Sequence, residues 1–309
     1  MSYSCHTVSE PLSPEGIPPA LCDLTLMKHV LALTLLAMIA FAGNSIIVRM
    51  ALASESIGPL SFGVIRLLAG AIVLALLVSP KEALCSGRWT GALCLLTYVV
   101  FFSYAYLSLD AGTGALILFA TVQIVMIGTG ISQGERLSMT QWVGTGIAFL
   151  GLGFLLRPGA VASPDPLGAF MMAMAGLGWA LYSLLGRHVE APTLATAGNF
   201  VKAFVLVLLI SVPLLWFRPE DLPSAKGVVL AIVSGGVTSA LGYALWYRVL
   251  PHLPATRAGI AQLSVPAIAA VGGLVFLGEA VTVRLLTTSA MVLGGVAIAT
   301  LHTRAGERE

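Results

Sequence analysis

The sequence predicts an all-α integral membrane protein of ten transmembrane helices, arranged as two inverted five-helix repeats. Of its 309 residues, 58% are hydrophobic and 10% are charged, whereas a soluble domain carries roughly 25% charged residues. Ten apolar runs are each long enough to cross a hydrocarbon core, which takes about 20 residues. Short motifs in the first half recur in the same order in the second half. Lipid is therefore the expected solvent for most of the chain.

The apolar runs are continuous and do not alternate with polar residues. Helices are favoured over barrel strands because backbone polar groups in lipid must be satisfied within each segment. Turn residues or charges separate the runs, as in Ser-Pro-Lys-Glu at 79–82 and Arg-Pro-Gly at 157–159, and the connections are too short for an inserted soluble domain. The runs span residues 29–50, 57–79, 89–109, 112–132, 139–156, 166–187, 193–217, 226–249, 256–277 and 281–301.

The two ends of the chain are predicted to lie in the cytoplasm. Residues 1–27 are rich in proline and serine, and such a composition buries too little apolar surface to fold, so a flexible tail is expected. With both termini inside, the inner segments hold more Lys and Arg than the outer ones, as the positive-inside rule requires. The predicted repeats are residues 28–157 and 158–302, followed by a cytoplasmic tail at 303–309.

The evidence for duplication is a set of motifs that recur in order. Each half has a Gly-Glu pair after its fourth helix, and each half has matched aromatic positions. Because five helices is an odd number, the second copy enters the membrane from the opposite side. Such inverted repeats hold substrate between the halves near the midplane. The matches are Gly134-Glu135 with Gly278-Glu279, Tyr98-x-x-Phe101-Phe102 with Tyr243-x-x-Trp246-Tyr247, and Phe41 and Arg49 with Trp179 and Arg187.

Two cations lie inside apolar runs, Arg66 in the second and Lys202 in the seventh. Intramembrane charges are costly and normally face the bundle interior, so each is a candidate attractor of a substrate carboxylate. The alternative is a side chain that snorkels or that bonds to helix-end carbonyls. Because the sequence places no Asp or Glu near a helix centre, we expect transport without a carboxylate proton relay. Each Gly-Glu pair is interpreted as structural, with its Glu at the start of the following helix.

Aromatic residues deep in the third, sixth and eighth runs predict a cavity suited to a small organic substrate, with core packing as the alternative. Residues near run ends (Trp89, Trp142, Trp216 and Tyr106) are explained by interfacial belts. Asn44, Gln123, Asn199 and Gln262 are candidate polar contacts, or else interhelical hydrogen bonds, and Pro266 is a candidate hinge. The predicted substrate-binding set is Asn44, Arg66, Tyr98, Phe101, Phe102, Trp179, Tyr182, Tyr243, Trp246 and Gln262.

These features resemble the drug/metabolite transporter superfamily and, within it, the EamA-type ten-helix exporters. The resemblance covers about residues 29–301, and YddG-type aromatic amino-acid exporters look like the nearest group. It implies a bacterial inner-membrane exporter of amino acids or related metabolites, with substrate between helices 1–4 and 6–9. The chain itself is expected to be a monomer. Where such proteins often have Trp before Gly in the first helix, this chain has Phe41. The motifs that carry the resemblance are the two Gly-Glu pairs, the glycine-spaced helices after them (Gly144, Gly146, Gly151, Gly153; Gly294, Gly295) and Leu263-Ser264-Val265-Pro266.

Other classes of function find less support. The four cysteines form no CxxC pair and no His lies at metal spacing from them, so no metal or cofactor is expected. Neither HExxH nor GxSxG occurs, and an enzyme is not expected. A net charge of +2 gives no reason for a nucleic-acid partner; the expected partners are a small-molecule substrate and the bilayer. The alternatives left open are export of other metabolites or cationic drugs, a channel, and an intramembrane enzyme.

Overall fold

All regular structure in the described part of the chain is helical, as the sequence predicts. The structure is a computed structural model. Within the residue ranges that the structure describes, side chains are described only from residue 29 to residue 299. Those ranges are 19–134, 137–157, 163–186, 189–217, 222–249, 261–262 and 264–301, so the predicted tails lie almost wholly outside them.

Twelve α-helices and two π-helical segments make up this part of the chain, and their ends follow ordinary capping chemistry. Proline is the first residue of α2, α3, α7 and α8, a position where its missing N–H is not needed. Ser138 and Gln141 form a reciprocal capping box before α6. The elements are α1 (Pro19–Ala53), α2 (Pro59–Leu77), α3 (Pro80–Cys85), α4 (Trp89–Ala105), α5 (Ala111–Ser132), α6 (Met139–Leu156), α7 (Pro166–Gly186), α8 (Pro192–Phe217), α9 (Ala225–Val233), a first π-helical segment (Ser234–Leu241), α10 (Gly242–Val249), α11 (Ser264–Gly272), a second π-helical segment (Gly273–Leu277) and α12 (Val283–Leu301).

The predicted membrane class is confirmed, whereas the number of crossings is only partly supported by helix length. Seven described segments are long and apolar enough to cross a membrane. The third, ninth and tenth predicted runs correspond to shorter apolar helices, Trp89–Ala105, Ser264–Leu277 and Val283–Ala299. Residues 256–260 of the ninth run lie outside the described residues. The seven longer segments are His29–Ala53, Pro59–Leu77, Ala111–Ser132, Met139–Leu156, Pro166–Gly186, Pro192–Phe217 and Ala225–Val249.

Helices from the first half pack directly against helices from the second half. α4 and α5 pack on α7, α2 packs on α8 and on the first π-helical segment, and α1 packs on α10 and α11. α6 and α12 form a pair that packs chiefly on itself. The core therefore lies between the two halves, which is where the sequence predicts the substrate site.

The α6–α12 pair depends on glycines that bring the two backbones together. A Cβ added at Gly295 would lie 2.5 Å from the carbonyl oxygen of Gly144, and one added at Gly144 would lie 2.5 Å from the carbonyl oxygen of Gly295. Small residues at helix crossings allow such close approach in membranes. By contrast, the neighbouring Gly294 and Gly146 have open space where a Cβ would be.

Replacing Gly295 with valine is therefore expected to destabilise the protein by about 1–3 kcal/mol, because α6 and α12 must separate to admit the side chain. Thermal unfolding in detergent micelles measures the change. Gly294→Val is the matched control, since it adds the same side chain one position away into open space. Equal effects of the two substitutions would show that the crossing does not depend on Gly295.

Candidate functional site

Six aromatic side chains, here termed the aromatic cluster, meet in the core between the two halves. The indole of Trp179 on α7 lies at its centre, with its ring centroid 4.9 Å from that of Tyr243 and 5.3 Å from that of Tyr98. Phe41 on α1 packs edge-on against Trp179 at 6.1 Å. Offset and edge-to-face arrangements of this kind are the favoured ones for aromatic rings. The cluster consists of Phe41, Tyr98, Phe102, Trp179, Tyr243 and Trp246.

A buried polar network borders the aromatic cluster. Asn44 Nδ2 on α1 donates to the Tyr98 hydroxyl at 3.0 Å. Asn44 Oδ1 accepts from Ser234 Oγ at 2.7 Å and from Thr238 Oγ1 at 3.1 Å. Sequence reasoning missed both hydroxyl residues, although polar side chains four positions apart in an apolar run were a usable signal. They lie in the first π-helical segment, and such segments are frequent at functional sites.

Arg66 is fully buried beside this network, with 0% of its surface exposed. Its Nε donates to Ser239 Oγ at 3.2 Å, and its Nη2 donates to the Tyr98 hydroxyl at 3.2 Å. The guanidinium carbon lies 5.1 Å from the Tyr98 ring centroid and 5.3 Å from that of Phe102, within range of a cation–π interaction. Nη1 has no partner among the described residues, and no described carboxylate forms an ion pair with Arg66. The snorkelling alternative therefore does not apply to this residue.

A small closed space lies between the cluster and the network. Its volume is about 20 Å³, which is room for about one water molecule. Arg66 does not border it, and the side chains of Tyr98 and Phe102, which do, lie against the guanidinium. The bordering residues are Phe41, Asn44, Ser45, Tyr98, Phe102, Leu118, Phe119, Trp179, Thr238 and Tyr243.

A much larger cavity, here termed the vestibule, enters the bundle where α7 ends and α8 begins. Its volume is about 450 Å³. Tyr182 borders the vestibule and also packs on Trp179, with ring centroids 5.9 Å apart. One layer of aromatic side chains thus separates the vestibule from the closed space. At the vestibule rim, Asn199 Oδ1 accepts from the backbone N–H of Arg88 at 2.8 Å, so this candidate polar contact has a structural partner.

The opposite end of the bundle is closed by a group of charged residues, here termed the Arg49 latch (Arg49, Asp110 and Glu279). Arg49 Nε donates to Glu279 Oε1 at 3.1 Å, and Arg49 Nη2 lies 3.7 Å from Asp110 Oδ1. Arg49 Nη1 also donates to the carbonyl oxygens of Tyr106 and Leu107 at 2.9 and 3.0 Å. A single guanidinium therefore joins α1, the α4–α5 turn and the loop before α12.

The predicted role of Glu279 at the start of the following helix is wrong. Its Oε2 accepts from the backbone N–H of Ala111, the first residue of α5, at 2.9 Å. The carboxylate still satisfies a helix N-terminus, but that helix belongs to the other half of the chain. Glu135, its counterpart in the first half, lies outside the described residues.

Most of the predicted site residues are brought together by the structure. Phe101 is half-buried and packs against the core without a described ring contact to the cluster. Gln262 is half-buried and does not border the closed space. Pro266 is buried in α11, and its hinge role stays a prediction. The residues that converge are Asn44, Arg66, Tyr98, Phe102, Trp179, Tyr182, Tyr243 and Trp246.

Four other sequence-based assignments receive a structural answer. Lys202 Nζ donates to the carbonyl oxygen of Ser86, so Lys202 follows the alternative in which a cation bonds a helix-end carbonyl. The interfacial assignment of Tyr106 is wrong, because its ring is buried and packs edge-on against Phe102 at 4.8 Å. Gln123 borders a separate small space beside α6 and α12. Trp89, Trp142 and Trp216 are exposed, as belt residues should be.

The comparison with known proteins supplies the family. The EamA-like transporter family matches residues 28–157 and 166–301. The chain belongs to this family. Membership makes it a multi-pass membrane transporter of the drug/metabolite superfamily, as the motifs indicate. The resemblance to YddG-type exporters, in contrast, is not confirmed.

Similar proteins cover the chain to different extents. An uncharacterized protein of Pseudomonas aeruginosa is 44% identical over 274 residues, covering 88% of this chain and 94% of that protein. The threonine/homoserine exporter RhtA of Salmonella typhimurium is 34% identical over 154 residues, covering 47% of this chain and 50% of the exporter. A solved crystal structure with 18% identity has a TM-score of 0.61 over 87% of this chain and 98% of its own, which supports the fold alone.

Proposed function

We propose that this EamA-family transporter exports amino acids or related small metabolites by alternating access between two inverted five-helix repeats. Ten helices cross the membrane in this proposal, the chain acts as a monomer, and both termini face the cytoplasm of a bacterial cell. The observation that carries the proposal is the closed space, because both halves contribute its walls. Tyr98 and Asn44 come from the first half, and Trp179 and Tyr243 come from the second.

The two ends of the bundle support an alternating-access cycle. The vestibule leads inward from one end to the aromatic layer, while the Arg49 latch closes the other end. A carrier with inverted repeats needs conformations in which one entrance is open and the other is shut. With the termini inside, the vestibule faces the cytoplasm, where an exporter collects its substrate.

The substrate class follows from the chemistry of the walls and from one relative. An aromatic and apolar enclosure with a few polar groups suits a small organic molecule. RhtA, half of whose length matches this chain, is a threonine/homoserine exporter. Threonine and homoserine therefore head the panel of substrates to test, and aromatic amino acids follow. Export of cationic drugs is less favoured, since the buried positive charge of Arg66 repels a cation entering the site.

We also propose that transport proceeds down the substrate gradient. Among those of residues 29–299 whose side chains the structure describes, the acidic ones all lie at helix ends or in loops: Glu55, Glu82, Asp110, Asp165, Glu190 and Glu279. None of them borders the closed space, so no carboxylate there can carry a proton with the substrate. A pH gradient that drives accumulation in proteoliposomes would contradict this part of the proposal.

The test is uptake by purified protein in liposomes, measured as counterflow of a panel of radiolabelled amino acids. Trp179→Ala is expected to lower the transport rate at least about tenfold, because it removes the ring at the centre of the cluster. A tenfold change corresponds to about 1.4 kcal/mol. Trp216→Ala is the matched control, since that indole is 83% exposed at the end of α8. Uptake of no panel member above that of empty liposomes would overturn amino-acid export. Equal transport rates in the two variants would show that the aromatic cluster is not the substrate site.

A further inference from the structure

We infer that the site binds the carboxylate of its substrate, through the Tyr98 hydroxyl and the Arg66 guanidinium behind it. The inference rests on the proposed function and narrows its substrate class to small carboxylic acids, amino acids included. Two independent features of the core support it: a buried cation without an anion, and a hydroxyl that links this cation to the closed space.

The first feature is the unbalanced charge of Arg66. The side chain is 0% exposed, and its described hydrogen-bond acceptors are two neutral hydroxyl oxygens. Two aromatic rings stabilise the cation in part, but Nη1 has no acceptor among the described residues. Buried charges in proteins are normally paired, and an intramembrane charge marks a functional site by default. An anionic ligand would balance this charge.

The second feature is the position of Tyr98 between the cation and the space. Its oxygen accepts a hydrogen bond from Arg66 Nη2, and its side chain borders the closed space. A guanidinium can only donate, so the phenol proton is left for another acceptor. A positive charge behind a hydroxyl makes it a stronger donor, because linked hydrogen bonds polarise one another. The space has room for about one water molecule, so a substrate enters it only in a conformation in which the bordering aromatic side chains have moved apart. A carboxylate there would accept from this hydroxyl and be attracted by the charge behind it.

The remaining walls suit the other end of an amino acid. Phe41, Trp179 and Tyr243 border the same space, and aromatic rings can attract an ammonium group through their faces. No Asp or Glu is among the residues that line the space. We therefore expect the carboxylate to contribute more to recognition than the ammonium group does.

Three related ligands test which group is recognised. Threonine carries both charges, threoninamide lacks the carboxylate, and 3-hydroxybutyrate lacks the ammonium group. In competition against labelled threonine, 3-hydroxybutyrate is expected to inhibit within about tenfold of threonine itself. Threoninamide is expected to inhibit about 10- to 100-fold more weakly, which is the usual range for a lost hydrogen bond to a charged group. Equal inhibition by threonine and threoninamide would overturn the inference.

Variants of Arg66 separate a binding role from a structural one. Arg66→Gln is expected to lower threonine transport about 10- to 100-fold and to abolish the preference for threonine over threoninamide, while Arg66→Lys keeps the charge and most of that preference. Arg66→Gln should leave the thermal unfolding midpoint unchanged or raise it, since an unpaired buried charge is removed. Lys202→Gln, which removes a cation bonded to the Ser86 carbonyl, is the control and should leave the ligand preference unchanged.

The outcomes distinguish this inference from the proposed function. If the unmodified protein transports no amino acid, the proposed function fails, and binding of the three ligands is then measured by their effect on thermal unfolding. If it transports threonine but Arg66→Gln keeps the wild-type ligand preference, the carboxylate inference alone is overturned. A lowered unfolding midpoint in Arg66→Gln with unchanged preference would assign Arg66 a structural role. If Arg66→Gln unfolds so that no preference can be measured, Tyr98→Phe, which removes only the hydroxyl, tests the inference by the same preference, and an unchanged preference there overturns it.

Discussion

Replacing Arg49 with glutamine is expected to open the end of the bundle that the Arg49 latch closes. The guanidinium donates to Glu279 and to the carbonyl oxygens of Tyr106 and Leu107. Glutamine has two N–H donors and no positive charge, so it cannot keep all three bonds or the ion pair. If opening loses 1–3 kcal/mol of contacts, the population of the open form rises about five- to 150-fold.

The opening can be measured as reactivity of a cysteine in the core. Ser45 is buried and borders the closed space, so a cysteine placed there in a cysteine-free background reports access from outside. An impermeant maleimide added on the Arg49 side of the membrane should label it at least about fivefold faster in Arg49→Gln. Arg284→Gln is the matched control, because the Arg284 guanidinium bonds the carbonyl oxygens of Phe154 and Leu155 in α6.

Glu279 and Arg49 should act as a unit. The double variant of Arg49→Gln and Glu279→Gln is expected to label no faster than the more reactive single variant, because both substitutions break the same ion pair. Multiplying effects would show that the two residues act separately. Labelling rates equal to those of the unmodified protein in all variants would contradict the latch.

The latch is also expected to weaken at acidic pH. Burial raises the pKa of Glu279, which lies in the loop after the second π-helical segment, and the nearby Asp110 carboxylate raises it further. The Ala111 N–H and Arg49 act in the opposite direction. A raised pKa means that Glu279 takes up its proton at a higher pH than an ordinary glutamate. The latch is therefore intact above this pKa and loses the negative charge of Glu279 as the pH falls through it. Because the thiolate is the reactive form, every labelling rate falls on acidification, so the rate at Ser45→Cys is divided at each pH by the rate of the same cysteine in Glu279→Gln. This ratio should rise towards one as the pH falls.

Replacing Gly235 with alanine is expected to abolish most transport. This glycine lies in the first π-helical segment, and a Cβ added there would overlap the carbonyl oxygen and carbon of Arg66. The added methyl group would meet the backbone of Arg66, which cannot turn aside as a flexible side chain can. α2 and the π-helical segment must therefore move apart. That movement separates Arg66 from Ser239 and breaks the 3.2 Å hydrogen bond between Arg66 Nε and Ser239 Oγ.

The expected loss is at least about tenfold in transport rate and about 1–3 kcal/mol in stability, measured by counterflow and by thermal unfolding. The change occurs although alanine is a better helix former than glycine by about 1 kcal/mol. Gly128→Ala on α5 is the control, because nothing lies within 4 Å of a Cβ added there. A Gly235→Ala variant with normal transport would show that the contact between α2 and the π-helical segment is not needed for the site.

Sequence patterns predicted a large part of the candidate site. Tyr98 and Phe102 are four residues apart on one helix, and this spacing places them on one face; the structure finds their ring centroids 5.0 Å apart. The matched position of Tyr243 and the depth of Trp179 in its run pointed to the same cluster. Phe101, only one residue from Phe102, points to a different face and does not join the cluster.

Other parts of the site depend on contacts between distant segments. Arg49 and Glu279 are separated by 230 positions, and nothing in either local sequence indicates the pairing. Arg66 and Lys202 occupy comparable places in their runs, yet one is buried beside the aromatic cluster and the other bonds the Ser86 carbonyl. The π-helical turns that present Ser234 and Thr238 to Asn44 also carry no separate signal in composition.

The sequence alone determined the membrane class, the helices and the doubling of the motifs, because lipid requires long apolar segments that satisfy their own hydrogen bonds. The tertiary structure alone decided which buried polar groups meet. The local sequence of a helix does not determine its rotation about its own axis, and packing against the neighbouring helices does. The rotation of a helix about its axis decides whether its cation snorkels to the interface or lies unpaired in the core. For this transporter, that difference places Arg66 behind Tyr98 and Arg49 against Glu279.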